Sequence, residues 1–223
     1  MKAFFVFPLF FASLTIVTLS ASDLPKVLIM GDSISIGYTP HVVENLKGVA
    51  EVKRHKGNAG PTLRGVAKID EWLGEERWDL IHFNWGLWDM YGWEYHQEDR
   101  SPKAYGKRLE FLVARLKKTG AQLIWATTTP ACPAHETTMK RRFKQEVLIP
   151  KNLERKYLEV ALGVMKKNGV QINDLHAFMK PQWAKYAIAD NNVHFKSEGK
   201  KALGKQVSDC IADALKERVS VNK

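Results

Sequence analysis

The chain has 223 residues, of which 45% are hydrophobic and 26% charged, with a formal net charge of +10. This is the composition of an ordinary globular protein with one domain-sized core, and it excludes a disordered chain. Two cysteines without a CxxC pair exclude a disulfide scaffold and a cysteine-based zinc cluster, and the lack of a long internal repeat excludes solenoids and propellers.

Lys2 opens a short basic region, and Ala3 to Leu19 then carry no charge. Thr18-Leu19-Ser20 and Ser20-Ala21-Ser22 both place small residues where a signal peptidase cleaves. Residues 1–22 therefore read as a secretory signal peptide and 23–223 as a single domain, exported to the periplasm or beyond. The competing reading is an uncleaved anchor, but the apolar stretch falls just short of spanning length. No stable membrane insertion is expected after cleavage. Export permits a Cys132–Cys210 disulfide without indicating that the two thiols meet.

From residue 26 onward, short apolar runs alternate with helical patterns. Lys26–Met30, Val49–His55, Asp79–Phe83, Gln122–Ala126 and Val170–Ile172 read as five buried strands. Between them, Thr62 is placed to cap a helix carrying Leu63, Val66, Ile69 and Leu73. Ser101-Pro102 is an N-cap with proline at the first helical position, followed by Tyr105, Leu109, Leu112 and Leu116 at helical spacing. Leu153, Tyr157, Val160 and Val164 mark another helix, and Ser197 starts a last one with Leu203, Val207, Cys210 and Ala214 on one face. The alternation predicts a doubly wound, flavodoxin-like α/β/α sandwich around a five-stranded parallel sheet. Residues 84–100, rich in Trp and Tyr, and 130–150, with Pro, Thr and a basic run, have no clear period.

Gly31-Asp32-Ser33-Ile34-Ser35 follows the first strand directly. In an open α/β sheet ligands bind beyond the carboxyl ends of the strands. A serine there, opening a helix, sits in positive potential beside free N–H groups, which suits a nucleophile and its oxyanion. Three further blocks follow later elements: Gly57-Asn58-Ala59-Gly60-Pro61-Thr62, Asn84-Trp85-Gly86-Leu87-Trp88-Asp89, and Asp190-Asn191-Asn192-Val193-His194-Phe195.

In order and spacing these four blocks resemble the SGNH, or GDSL-type, hydrolase superfamily across the whole mature chain. Asn84-Trp85-Gly86-Leu87-x-Asp89 and Ala126-Thr127-Thr128-Thr129-Pro130 look like a secreted bacterial subgroup of it. The resemblance implies a serine esterase with Ser33 as nucleophile, His194 as base and the Gly60 N–H in the oxyanion hole. The family's oxyanion asparagine falls on Trp88, whose indole N–H is one substitute; Asn84, four residues upstream, is another. The residue three before His194 is Asn191 rather than aspartate. Either Asp190, one place earlier, orients the ring through a shifted loop, or Asn191 or a main-chain carbonyl does so.

Trp85, Trp88, Tyr91, Trp93 and Tyr95 crowd the segment after the third strand, and Trp85, Tyr91 and Trp93 are candidates for a sugar-stacking platform. With the leader, this favours an O-acetyl ester on carbohydrate, either a small molecule or a polysaccharide. A lysophospholipase or fatty-acyl esterase is the alternative. A carbohydrate-binding protein on a degraded hydrolase scaffold is a further one, which retention of Ser33 and His194 argues against. The positive charge suits an acidic partner, with Lys140-Arg141-Arg142 and Lys144 as a candidate patch. No cofactor is called for. His41, His55, His82, His96, His135 and His176 lack metal-ligand spacing, no GxxxxGK[ST] or GxGxxG loop occurs, and no motif supports nucleic-acid binding.

Overall fold

The computed structural model describes residues 24–92, 100–132, 149 and 152–221. Residues 1–22, expected to be a signal peptide, together with Trp93, Tyr95 and the basic run around Lys140, lie outside the described residues.

Five strands form one sheet: β1 (Lys26–Met30), β2 (Glu51–Arg54), β3 (Leu80–Phe83), β4 (Gln122–Ala126) and β5 (Gln171–Asn173). Their order is β2-β1-β3-β4-β5, and every pairing is parallel. Parallel strands need crossovers, and helices supply them: α1 (Ser33–Asn45), α2 (Thr62–Leu73), α3 (Leu87–Tyr91), α4 (Pro102–Lys117), α5 (Leu153–Asn168), α6 (Leu175–Met179), α7 (Trp183–Tyr186) and α8 (Ser197–Val221). The expected sandwich is the observed one.

Side chains alternate across the strands, so β1 serves two cores. Val27 and Ile29 pack under Tyr38 and Val42 of α1 and Leu203, Val207 and Ile211 of α8. Leu28 and Met30 pack against Ile69 and Leu73 of α2, Leu109 and Leu112 of α4, and Tyr157 of α5. On α8 the buried stripe runs through Ile211, while Cys210 is only partly covered. Cys210 and Cys132 are both free thiols, so the permitted disulfide is not formed.

Two helix starts bear on the site. Ser101 caps α4 as expected, accepting from Ala104 N–H at 3.1 Å. Thr62 is not a cap but the first residue of α2, after Pro61. Its N–H and hydroxyl both turn to the fully buried Asp89 carboxylate. Arg108 of α4 also donates to the Thr62 hydroxyl, at 2.8 Å. This network ties the loop before α2 to α3.

The chain leaves β1 toward β2 on one side and later returns to place β3 on the other. That reversal opens a crevice at the carboxyl ends of β1 and β3, the usual ligand position in such sheets.

Candidate active site

Ser33 is the first residue of α1, and Asp32 is its N-cap, accepting from Ile34 N–H at 2.9 Å. Burial is the main reason that the Asp32 carboxyl is pushed up to about 6, against the lowering effects of Ile34 N–H and the Arg54 guanidinium. The turn before Ser33 is held from β2. Arg54 donates to Ser35 Oγ (3.1 Å), to the carbonyls of His55 (2.9 Å) and Gly57 (2.7 Å), and to that of Gly31 (2.8 Å). His55 lies on the Gly31 backbone, with Nε2 3.2 Å from Gly31 N, and burial lowers its pKa to about 4.

His194 arrives from the far end of the chain. Ile188 N–H donates to His194 O (3.0 Å), Lys196 N–H to Tyr186 O (2.8 Å), and Val193 and Phe195 on either side are buried. Thus anchored, His194 Nε2 stands 2.9 Å from Ser33 Oγ. Its Nδ1 stands 2.9 Å from Asn192 Oδ1, which also accepts from the His194 backbone N–H at 3.0 Å. An amide oxygen only accepts, so Nδ1 carries the ring proton and Nε2 offers its lone pair to the serine hydroxyl. Burial first, and the Lys200 ammonium second, hold the His194 pKa below its ordinary value.

This geometry corrects the expectation about the orienting group. Asn192 N–H bonds to Ala189 O at 3.0 Å, closing a turn over 189–192. The turn carries Asp190 out to an exposed tip, and the ring meets the Asn192 amide instead of Asp190 or Asn191. A short polar side chain bonding a backbone N–H two residues on is a common turn device, and Asn192 with His194 is an instance of it.

The expected oxyanion donors are engaged or covered within the fold. Gly60 N–H donates to Asn58 Oδ1 at 2.8 Å. Asn84 Nδ2 donates to Ala126 O at 2.8 Å, across to β4. Trp88 is only 7% exposed and belongs to the core below α1. Two of the three expected platform residues, Trp85 and Tyr91, are likewise interior. Trp85 is 1% exposed, packed on Trp72, Phe83 and Gly65, and Tyr91 is buried with its hydroxyl donating to Cys132 O at 2.9 Å. The physical reason is the sharp entry into α3. Gly86 has φ of +150°, and a Cβ there would lie 2.5 Å from Thr128 Oγ1, so the chain folds straight back over the sheet.

Arg54, His55 and Asn192 were given no part in the site by sequence reasoning. The signal for the first two was their place at the carboxyl end of a strand, the edge where ligands bind. Among the described residues no group of three His, Cys, Asp or Glu side chains is arranged to hold a metal, and no helix is long and apolar enough to cross a membrane.

No protein-family model and no curated protein sequence matches this chain. Solved structures do match it. It is similar to the lipase/acylhydrolase from Enterococcus faecalis, with a TM-score of 0.68 at 18% identity, covering 86% of this chain and 97% of that one. It is similar to Axe2, an acetylxylan esterase from Geobacillus stearothermophilus, with a TM-score of 0.62 at 17% identity, covering 82% and 92%. A GDSL-like lipase from Bacteroides thetaiotaomicron gives a TM-score of 0.65 at 14% identity, covering 89% and 93%. The chain has the fold of the SGNH hydrolases.

Proposed function

We propose that this chain is a serine ester hydrolase that removes acetyl groups from carbohydrate. The observation that carries the reading is the 2.9 Å contact between Ser33 Oγ and a His194 Nε2 left unprotonated by the hydrogen bond at Nδ1. A serine hydroxyl needs such a base to become a nucleophile, and the base needs the lone pair on the nitrogen that faces it.

The reaction then runs in two halves. Ser33 Oγ bonds to the ester carbon as its proton passes to His194 Nε2, and the carbonyl π electrons move onto oxygen. The intermediate re-forms the carbonyl and breaks the bond to the alcohol oxygen, which takes the proton back from His194. Water repeats the sequence on the acyl-enzyme and frees Ser33. The Ser33 N–H, at the first position of α1, has no partner within the helix and is free to face the oxyanion. The lowered pKa keeps His194 in its base form at neutral pH.

The acetyl preference is supported by the likeness to acetylxylan esterases, and an exported location by the leader-like residues 1–22. The likeness to a lipase/acylhydrolase favours a second reading, a fatty-acyl esterase. A panel of acetylated xylo-oligosaccharides and p-nitrophenyl esters from acetyl to decanoyl separates the two. The expected result is kcat/KM greatest for acetyl esters and abolished by Ser33→Ala. A steady rise toward decanoyl overturns the acetyl assignment, and full activity in Ser33→Ala overturns the nucleophile.

A further inference from the structure

Charge is divided unevenly among the helices. On one side of the sheet α1 and α8 together carry five Lys or Arg and five Asp or Glu. On the other side α2 carries two of each, but α4 and α5 together carry nine basic residues against three acidic ones. Those three acids are already engaged. Glu110 accepts from Lys167 Nζ at 2.8 Å, Glu159 accepts from Arg155, and Glu154 turns to Ala131 N–H and His176. Left over are Lys103 and Lys107 of α4, Lys118 at its C-cap, and Lys156 and Lys166 of α5. All five are exposed, and among the described residues none has a carboxylate within ion-pair distance. The two helices lie close because Gly106 of α4 meets Val160 of α5, where a Cβ would stand 2.5 Å from Val160 Cγ1. Each leads into the next parallel strand, α4 into β4 and α5 into β5, so they run side by side in one direction. From Lys103 to Lys118 the lysines thus form one band about 22 Å long by helical rise. It begins at the edge of the sheet that carries the candidate site. Tyr157, next to Lys156, donates to Asp89 O of the third sequence block at 3.1 Å. Within the band Phe111 and Leu162 are 53% and 39% exposed.

We propose that this band on α4 and α5 is a docking surface for an acidic polysaccharide, the polymer that carries the acetyl esters. The proposal rests on the reading of the chain as a carbohydrate esterase and adds the charge of its substrate. Unpaired ammonium groups set along a straight band suit carboxylates set along an extended sugar chain. The ring of Phe111 offers a sugar an apolar face among them. A bilayer surface would call for a broad apolar face to bury, and two partly covered side chains do not make one. A surface of one sign raises the local concentration of an oppositely charged partner and its rate of association. Since the band starts at the carboxyl edge of the sheet, a polymer held along it stays beside the edge where Ser33 lies.

The test measures binding of the full chain to polygalacturonate, with a neutral xylan for comparison. Polygalacturonate should bind at low salt, release as salt screens the charges, and bind more tightly than the xylan. The triple variant Lys107→Gln, Lys118→Gln, Lys166→Gln should bind it at least about tenfold more weakly, the lower end of the range for a surface of one sign. A second triple variant, Lys47→Gln, Lys201→Gln, Lys205→Gln, has the same net charge but is changed on the side of α1 and α8, and should stay within about twofold of the unaltered chain. All six lysines are exposed, and thermal unfolding checks that both variants fold. On acetylated polygalacturonate the first variant should show a KM raised by a like factor. Equal losses in the two variants overturn the proposal, because net charge and not the band would then account for binding. So does an unaltered chain that does not bind polygalacturonate. If the band variant instead loses binding to vesicles containing phosphatidylglycerol or to duplex DNA, and polygalacturonate is not bound, the partner is a membrane or a nucleic acid and the polysaccharide assignment is wrong. Polygalacturonate held through the band with no ester hydrolysed, p-nitrophenyl acetate included, would sink the esterase reading and leave the docking surface standing.

Discussion

His194 Nδ1 and Asn192 Oδ1 lie 2.9 Å apart, two residues apart in the chain, and this contact sets the tautomer of the ring that faces Ser33. The partner is an amide. It fixes the ring but brings no charge to the imidazolium that forms as Ser33 attacks. Asn192→Ala should therefore lower kcat at least about tenfold, short of the ~10²–10⁴ contributed by general-base catalysis as a whole. Asn192→Asp should raise kcat above wild type, because a carboxylate stabilises the imidazolium. It should also move the acidic limb of the pH–rate profile upward, since the same carboxylate holds the proton on His194 more tightly. Asp190→Asn and Asn191→Ala should stay near wild type. A severe loss in Asp190→Asn would show that the acid reaches the ring.

The pH dependence of kcat/KM reports the base of the free enzyme. Burial and Lys200 hold the His194 pKa down, so the acidic limb should have its midpoint below the ordinary histidine value of 6.5. The stem of Lys200 packs on Gly37 of α1, which keeps its charge near the ring. Lys200→Gln removes the smaller of the two influences and should shift the midpoint upward while leaving the plateau rate intact. A midpoint above 6.5 in wild type, or an unmoved one in Lys200→Gln, contradicts this electrostatic account.

The strands and four of the long helices were legible because each repeats a simple signal. Val27–Met30 and Leu123–Ala126 are continuous apolar runs, and α4 carries Tyr105, Leu109, Leu112 and Leu116 inward at helical spacing. Ser33 and His194 were legible because each adjoins such an element. The aromatic segment was not. All five residues of α3 are buried, and a short helix covered on every side has no polar face from which to read a period. The orienting group was missed for a different reason. The 189–192 turn selects which of three consecutive polar residues meets the ring, and chain spacing carries no record of that turn.

The interior position of Trp85 has a direct consequence. Its ring lies against Trp72 and Phe83 and covers Gly65, so truncation opens a cavity in the core between the sheet and α2. Trp85→Ala should cost about 3–5 kcal/mol of stability, the range for large aromatic truncations. Chemical denaturation measures it. A variant with wild-type stability and weakened binding of oligosaccharide would return Trp85 to the substrate platform.

A second core residue makes the fold sensitive to acid. His82 of β3 is fully buried, with Nε2 3.3 Å from Asn173 Nδ2, and burial drives its pKa down to about 3. The unfolded chain binds a proton there near 6.5, but the folded chain does so only near 3. The stability tied to neutral His82 is thus full above 6.5 and is lost as pH falls toward 3. Asp32 opposes this. Its carboxyl titrates at about 6 folded and 3.8 unfolded, so its contribution is present below 3.8 and is lost as pH rises through about 6. His82→Gln isolates the first effect and retains an acceptor for Asn173. Urea midpoints at about pH 7 and about pH 4.5 should fall less on acidification in the variant than in wild type. Equal falls would mean that His82 is protonated without penalty.

The nucleophile turn depends on one side chain from a different strand. Arg54 bonds Ser35 Oγ and the carbonyls of Gly31, His55 and Gly57, and so joins the loop after β1 to the loop after β2. These loops carry Ser33 and Gly60. Burial lowers the Arg54 pKa against the raising influence of Tyr38 and Asp32, so the guanidinium stands largely out of water and its carbonyl partners have few substitutes for it. Arg54→Met should cost at least about 2 kcal/mol, because it strands acceptors that the arginine satisfies. Arg54→Lys is more telling. A lysine keeps the charge but lacks the planar fork, and cannot hold both loops at once. The lysine variant should fold, yet label Ser33 with a phosphonate at least about tenfold more slowly, on the scale by which small misplacement of a reacting group lowers rates. KM should change little, because Arg54 grips the backbone under the nucleophile rather than the ester. Wild-type labelling and wild-type unfolding in Arg54→Lys together would show that the turn holds its shape without the clamp.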